Sequence, residues 1–270
     1  MSLLNMKLQG PALKVITGLY NFDINEIIKI VKAAEIGGAN YVDIAANPKI
    51  VSIVKSLTDL PLCVSSIDPL ELYNCILAGA DIVEIGNFDY FYRYNIILSR
   101  SQILAIAKET QNLIQDVDIC LTIPHYLLLK EQIRLAIDLQ NIGIQIIQTE
   151  GLSTKNNNKL SNKTSGFDSI LSATEISSSA LSSTYALTNF VRMPIIASSG
   201  INSVSAPVAV CYGASLVGVG SSLKEYTTIY QMSKYISEIV ASISYQMDFR
   251  FDNELFKIKN LDMSNILNTV

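Results

Sequence analysis

Eight times along this chain an apolar run of strand length gives way to a longer stretch with helical period, and this alternation limits the fold more than any other feature. The strand-like runs are Leu13–Gly18, Tyr41–Ala46, Leu62–Ile67, Asp81–Gly86, Asp118–Ile123, Ile144–Thr149, Pro194–Ser199 and Ser215–Gly220. Helical stretches follow over Asn25–Gly37, Asn47–Leu57, Pro69–Ala78, Gln102–Ile114, Leu127–Asn141, Phe167–Phe190, Ser203–Tyr212 and Lys224–Tyr245. Asp23 and Asp68 stand where helix N-caps belong, and Gly37-Gly38, Gly79, Gly143 and Gly213 stand where helices stop. Strands separated by helices pair in parallel and are covered by those helices on the outside.

The chain has 270 residues, 49% of them hydrophobic, enough to bury one large core. That size suits a single α/β barrel or two small domains, and one domain is the simpler reading. The expected fold is α/β: a (β/α)8 TIM barrel over residues 1–245, then a C-terminal extension over 246–270 that is a surface helix or docking arm. A doubly wound open sheet alternates in the same way. The near-regular spacing of eight units favours closure, and Gly18-Leu-Tyr-Asn-Phe-Asp23 stands after the first strand where a dinucleotide fold would carry GxGxxG.

The net charge of -4 and the lack of a dense Lys/Arg cluster remove the footprint that nucleic-acid binding requires. Cysteines at 63, 75, 120 and 211 are far apart, mostly within apolar runs, which implies buried thiols in a reducing compartment and no zinc knuckle. No apolar run reaches membrane-spanning length, and the first residues have neither signal-peptide nor transit-peptide character. The expectation is a protein that works in the compartment where it is made, with no membrane partner.

Two stretches near the end run an apolar strand straight into a Gly/Ser turn and a helix: Met193-Pro-Ile-Ile-Ala-Ser-Ser-Gly-Ile201 and Ala214-Ser-Leu-Val-Gly-Val-Gly-Ser-Ser222. At adjacent strand ends of a barrel, such turns pool backbone N–H groups into an anion pocket, usually for phosphate. Ser199 and Gly200 supply one half; Gly218, Gly220 and Ser221 or Ser222 supply the other. Each half by itself is an ordinary turn.

Strand alternation also identifies charges that point into the barrel. Leu13 and Val15, Val42 and Ile44, and Val83 and Ile85 face the helices, which turns Lys14, Asp43 and Glu84 inward. Unpaired, such charges cost several kcal/mol each, so a Lys between two carboxylates is the expected arrangement. It is either a structural ion-pair cluster or a catalytic group in which Lys14 acts as acid/base or electrostatic stabiliser beside Asp43 or Glu84. A Schiff base on Lys14 is chemically open, although nothing around it demands one.

At the ends of strands five and six stand Thr122, Pro124-His125 and Gln148-Thr-Glu150. His125 is a candidate proton relay, a helix cap or a hydrogen-bond partner of a loop carbonyl, and Gln148 and Glu150 are candidate substrate-binding groups, Glu150 being equally readable as solvated. Ser65 and Ser66 are donors without an obvious base, so no nucleophilic triad assembles. Two connections leave the same face: the aromatic segment 87–96, which covers a ligand or packs over the mouth, and the polar segment 151–165, a lid or a tolerated insertion.

Asn21-Phe-Asp23, Tyr41-Val-Asp-Ile-Ala45, Val83-Glu-Ile-Gly-Asn-Phe-Asp89, Pro124-His125, Gln148-Thr-Glu-Gly151, Ala197-Ser-Ser-Gly200 and Gly218-Val-Gly-Ser221 together resemble the barrel family known as hypothetical chloroplast reading frame twenty-three, of algal plastids and cyanobacteria. The resemblance runs from about residue 10 to 240 and implies a plastid-encoded barrel protein of the chloroplast stroma, without implying a reaction. A looser similarity, carried only by the last two turns, is to barrel enzymes of phosphorylated metabolites such as thiazole synthase, whose Schiff-base Lys role is not carried over to Lys14. Three functions stay open: a lyase or isomerase acting on a small phosphorylated metabolite, a non-catalytic ligand sensor or scaffold, and an FMN-binding barrel. The cofactor and any protein partner are unknown from sequence.

Overall fold

The computed structural model describes residues 10–245 apart from 87, 93 and 152–165. Its strands are β1 (Ala12–Ile16), β2 (Tyr41–Ala45), β3 (Leu62–Ser66), β4 (Ile82–Ile85), β5 (Asp118–Ile123), β6 (Ile146–Thr149), β7 (Ile195–Ala197) and β8 (Leu216–Val219). Each pairs in parallel with the next, and β8 pairs with β1, so the sheet is a closed barrel in chain order and the open-sheet alternative is excluded. Around it lie α1 (Ile24–Gly37), α2 (Pro48–Lys55), α3 (Pro69–Leu77), α4 (Asp89–Tyr92), α5 (Arg100–Leu113), α6 (Leu129–Asn141), α7 (Gly166–Thr188), α8 (Ala206–Cys211) and α9 (Ile229–Tyr245). Segment 152–165 and the extension over 246–270 lie outside the described residues, as does most of the N-terminal segment.

Local chemistry sets the helix starts. Asp23, Asn47 and Asp68 each accept two backbone N–H bonds from the first turn of α1, α2 and α3, and Pro48 and Pro69 fill first-turn positions where no N–H is needed. Ser99 and Gln102 close a reciprocal capping box on α5. A second device fixes strand entries: Asn40, Asp81 and Gln145, each just before an even strand, accept the backbone N–H of Leu13, Leu62 and Ile119 on the preceding odd strand.

The last two helices differ from expectation. The helix expected over 224–245 is two pieces: a 3-10 turn over Ser221–Glu225, then α9. Thr228 Oγ1 accepts from the Gln231 N–H while Gln231 Oε1 accepts from the Thr228 N–H, a capping box that starts a new helix where the apolar period looked continuous. The helix expected over 203–212 shortens to α8, because Asn202 Oδ1 accepts from the Val204 and Ser205 N–H groups and holds that stretch as a turn.

Side chains on the outer face of the strands, such as Val15, Ile44 and Val83, form one continuous core with the helices. The ring of helices closes where α9 packs on α1. A Cβ at Gly37 would meet Ile236 Cγ2 at 2.5 Å, so the missing side chain sets how closely the two helices approach. Cys63, Cys75 and Cys120 are buried, whereas Cys211, at the end of α8, is exposed.

Candidate functional site

Inside the barrel, one residue per strand belongs to an apolar cluster: Ala12, Tyr41, Cys63, Ile82, Cys120, Ile146, Ile196 and Leu216. Two residues farther along each strand, period-two alternation puts the next inward side chain. Those positions are Lys14, Asp43, Ser65, Glu84, Thr122, Gln148, Ser198 and Gly218, and none is apolar.

Lys14, Asp43 and Glu84 meet, as the alternation requires, and all three are fully buried. Lys14 Nζ lies 2.7 Å from Asp43 Oδ2 and 2.5 Å from Glu84 Oε2, and it donates a third bond to Gln148 Oε1 at 3.0 Å. All three ammonium hydrogens thus have acceptors. Ser65 donates to Asp43 at 2.8 Å, while Glu84 Oε1 accepts from Thr122 and from the Gln148 amide, both at 2.8 Å. Ser65, which had no base beside it in sequence, is therefore a carboxylate ligand, and Ser66 instead donates to Glu71.

Burial draws the Lys14 pKa down, yet Asp43 and Glu84 more than offset it, and the ammonium is held well above the usual lysine range. Asp43 is pushed up to about 6, chiefly by burial, against the pull of Lys14. Beside them on the neighbouring strands, the Cys63 and Cys120 thiols are pushed up by burial and by the carboxylates. Ligand atoms of Asp43, Cys63 and Glu84 lie within 4.8 Å of one another, a spacing suited to a metal ion. The positive charge between those carboxylates is the Lys14 ammonium, and Cys63 remains a thiol, so the donor set does not suit a metal without displacing Lys14.

Farther along, at the C-terminal ends of β5 and β6, Glu150 Oε2 lies 2.8 Å from His125 Nδ1 and accepts from the His125 backbone N–H at 3.0 Å and from the Tyr92 hydroxyl at 2.8 Å. Glu150 is buried rather than solvated, and His125 pairs with it instead of capping a helix. Tyr92, in α4, comes from the aromatic segment after β4; it packs edge-on to His125 at 4.9 Å, and Phe88 is buried beside it in the chain. Sequence reading missed Tyr92 as a site residue, since nothing local singles it out among its aromatic neighbours.

The β7–β8 corner is contiguous, because Ile196 pairs with Leu216 and Ala197 with Val217. A Cβ at Gly218 would lie 2.8 Å from Ser198 Oγ, so Gly218 makes room for that hydroxyl; Ser198 went unremarked in sequence although it follows the same inward alternation. Gly220 lies close against Ile16. Ser199 and Gly200 both take positive φ, at 76° and 75°, and a Cβ at Gly200 would strike the Ile176 carbonyl oxygen at 2.6 Å. The Ser199 hydroxyl donates to the Gly151 carbonyl, and Ser221 is exposed. The Ser222 hydroxyl is buried and has no hydrogen-bond partner among the described residues.

Residues 3–249 match the family described as Protein of unknown function (DUF561). The chain belongs to that family. Among its relatives, the uncharacterised protein ycf23 of Antithamnion sp. is 48% identical over 99% of this chain and 95% of its own length. Its counterpart from Porphyra purpurea is 43% identical over 86% of this chain and 85% of its own length. These relatives come from plastid genomes. Among solved structures, thiamine phosphate pyrophosphorylase from Pyrococcus furiosus aligns with a TM-score of 0.57 at 16% identity, over 87% of this chain and 96% of the enzyme. The (S)-3-O-geranylgeranylglyceryl phosphate synthase from Thermoplasma acidophilum, in complex with sn-glycerol-1-phosphate, aligns with a TM-score of 0.59 at 14% identity, over 91% of this chain and 99% of the enzyme. At such identities the likeness establishes the TIM-barrel fold. Among the described residues, no helix is long and apolar enough to cross a membrane.

Proposed function

We propose that this barrel binds a phosphorylated small metabolite at its mouth and carries out proton-transfer chemistry of the lyase or isomerase class. The anionic group sits at the β7–β8 exits, against Ser199, Gly200, Gly218, Gly220, Ser221 and Ser222. The reacting part sits over Lys14, Asp43 and Glu84, where the ammonium stabilises developing negative charge and a carboxylate carries the proton. The observation that carries this reading is the change of character between successive inward positions of the strands, from an apolar cluster to a buried Lys with two carboxylates. Apolar residues of similar volume fill a core at equal or lower cost, so stability alone gives no reason for charge at that depth. The unpartnered Ser222 hydroxyl at the corner supports the anion, and the fold-level likeness to a synthase solved with sn-glycerol-1-phosphate points the same way. A location in the chloroplast stroma goes with this reading.

A ligand sensor without chemistry is the second reading, favoured by one observation: every Lys14 ammonium hydrogen is already spent on a protein acceptor. Mass spectrometry of small molecules that co-purify with the protein, followed by thermal-shift titration of each hit, tests both. A phosphorylated ligand at 100 times its Kd should add about 2.7 kcal/mol of stability, and its dephosphorylated form should add far less. Ser222→Ala should weaken that ligand without lowering the stability of the free protein. Recovery of an altered ligand supports the enzyme, and recovery of an unchanged one supports the sensor. Equal binding of the dephosphorylated form would sink the anion site.

A further inference from the structure

His125 and Glu150 stand together above the charged layer, and their bonding has a direction that fixes a proton. We infer that Glu150 is a positioning residue: it holds His125 as the Nδ1–H tautomer and leaves Nε2 as the proton-accepting atom of the site.

The backbone N–H of His125 can only donate, and it points at Glu150 Oε2. The Tyr92 hydroxyl donates to the same oxygen, and burial followed by the Glu150 carboxylate pushes Tyr92 far above the ordinary tyrosine range, so it keeps its proton. With two donors already on Glu150 Oε2, that oxygen acts as an acceptor toward the third group facing it, and His125 Nδ1 at 2.8 Å carries the hydrogen. In the neutral ring the lone pair then lies on Nε2. Tyr92 and Tyr126, edge-on to the imidazole at 84° and 72°, fix the plane of the ring. No other described residue hydrogen-bonds Nε2, and the ring retains 11% exposure at the end of β5.

This geometry moves Glu150 from the substrate-binding set to a supporting one. The chemical step is balanced within the site. Nε2 takes a proton from a substrate C–H or O–H, the bonding pair stays on the substrate, and the imidazolium that forms faces the Glu150 carboxylate. The same proton returns when the product's new bond to hydrogen forms, with no change of oxidation state. The substrate in that step rests on the reading given under Proposed function, whereas the tautomer rests on geometry alone.

His125 is the single histidine of the chain, which makes the test specific. Full-length protein labelled with 15N-histidine gives one imidazole, and long-range 1H–15N correlation at alkaline pH reports which nitrogen bears hydrogen. The expected spectrum shows Nδ1 protonated and Nε2 bare, and Glu150→Leu should convert it to an exchanging mixture or to Nε2–H. Tyr92→Phe, which leaves the carboxylate in place, should keep the wild-type pattern. Nε2–H or a mixture in the wild-type protein overturns the inference without recourse to any variant, and Nδ1–H persisting in Glu150→Leu overturns the role of Glu150. Diethylpyrocarbonate supplies the second readout: the folded wild-type protein should take one ethoxycarbonyl group, on His125 Nε2, and a protein that resists it has no open acceptor there. These outcomes do not depend on finding a ligand, so failure here leaves the phosphorylated-metabolite reading standing, and failure of that reading leaves the tautomer standing.

Discussion

The lower inward position of each strand, from Ala12 round to Leu216, is apolar apart from the Tyr41 hydroxyl, whereas the upper inward position, two residues farther along the same strand, runs from Lys14 to Gly218 and has no apolar member. Both are enclosed by the same eight strands, and both exclude water. The lower set fills the barrel by volume, the large buried Tyr41 sharing one cluster with the small Ala12, Cys63 and Cys120. The upper layer closes by hydrogen bonding, with Lys14 held by Asp43, Glu84 and Gln148 and the carboxylates held in turn by Ser65 and Thr122. A volume-filled layer tolerates loss of one group at the cost of a cavity. A charge-balanced layer fails when one charge is removed, because its partners are left buried without compensation.

That contrast is most sharply tested at Lys14. Lys14→Met should cost about 3–5 kcal/mol of unfolding free energy, since it leaves two carboxylates facing each other in a dry interior. Adding Asp43→Asn and Glu84→Gln to the same chain should recover most of the loss in a denaturant titration while leaving the site without charge. If the triple variant is no more stable than Lys14→Met, the damage is a packing effect and the two layers do not differ in kind.

The pH dependence separates them next. With Asp43 pushed up to about 6 from an ordinary 3.8, the folded protein keeps a proton there that the unfolded chain releases earlier. A raised carboxyl pKa favours the folded state at low pH, so this contribution is lost as pH rises from about 4 to 6, by ~3 kcal/mol. Asp43→Asn should remove that slope, read as the difference between wild-type and variant stability across the window. Parallel curves would mean that Asp43 is ionised throughout.

The smallest effect belongs to the lower layer. Tyr41 Oη is buried without a hydrogen-bond partner among the described residues, so Tyr41→Phe should be neutral or stabilise by about 1 kcal/mol. Destabilisation in the same titration would place a polar group against that hydroxyl and erase the difference between the layers.

Much of this site was readable along the chain. Alternation in β1, β2 and β4 turned Lys14, Asp43 and Glu84 inward, and charge balance brought them together; the turns after β7 and β8 followed from their glycines and serines. The same alternation also held Ser198, which passed unnoticed between the more conspicuous Ser199 and Gly200. Tyr92 was not recoverable, because its partner Glu150 lies 58 residues away and arrives from another loop. Nor did spacing reveal that Thr228 and Gln231 restart a helix inside an unbroken apolar period.

The amino-acid order by itself determined which side chains face into the barrel and which face the helices, because that depends only on the two-residue repeat of an extended chain. Only the tertiary structure decided which inward residues from different strands meet. The level at which one strand meets the next is set by hydrogen-bond ladders between residues distant in the chain, such as Lys14 beside Tyr41 and Gly218, and by closure of the ring where β8 meets β1. A shift of register along those ladders would leave every local pattern intact and separate Lys14 from its carboxylates.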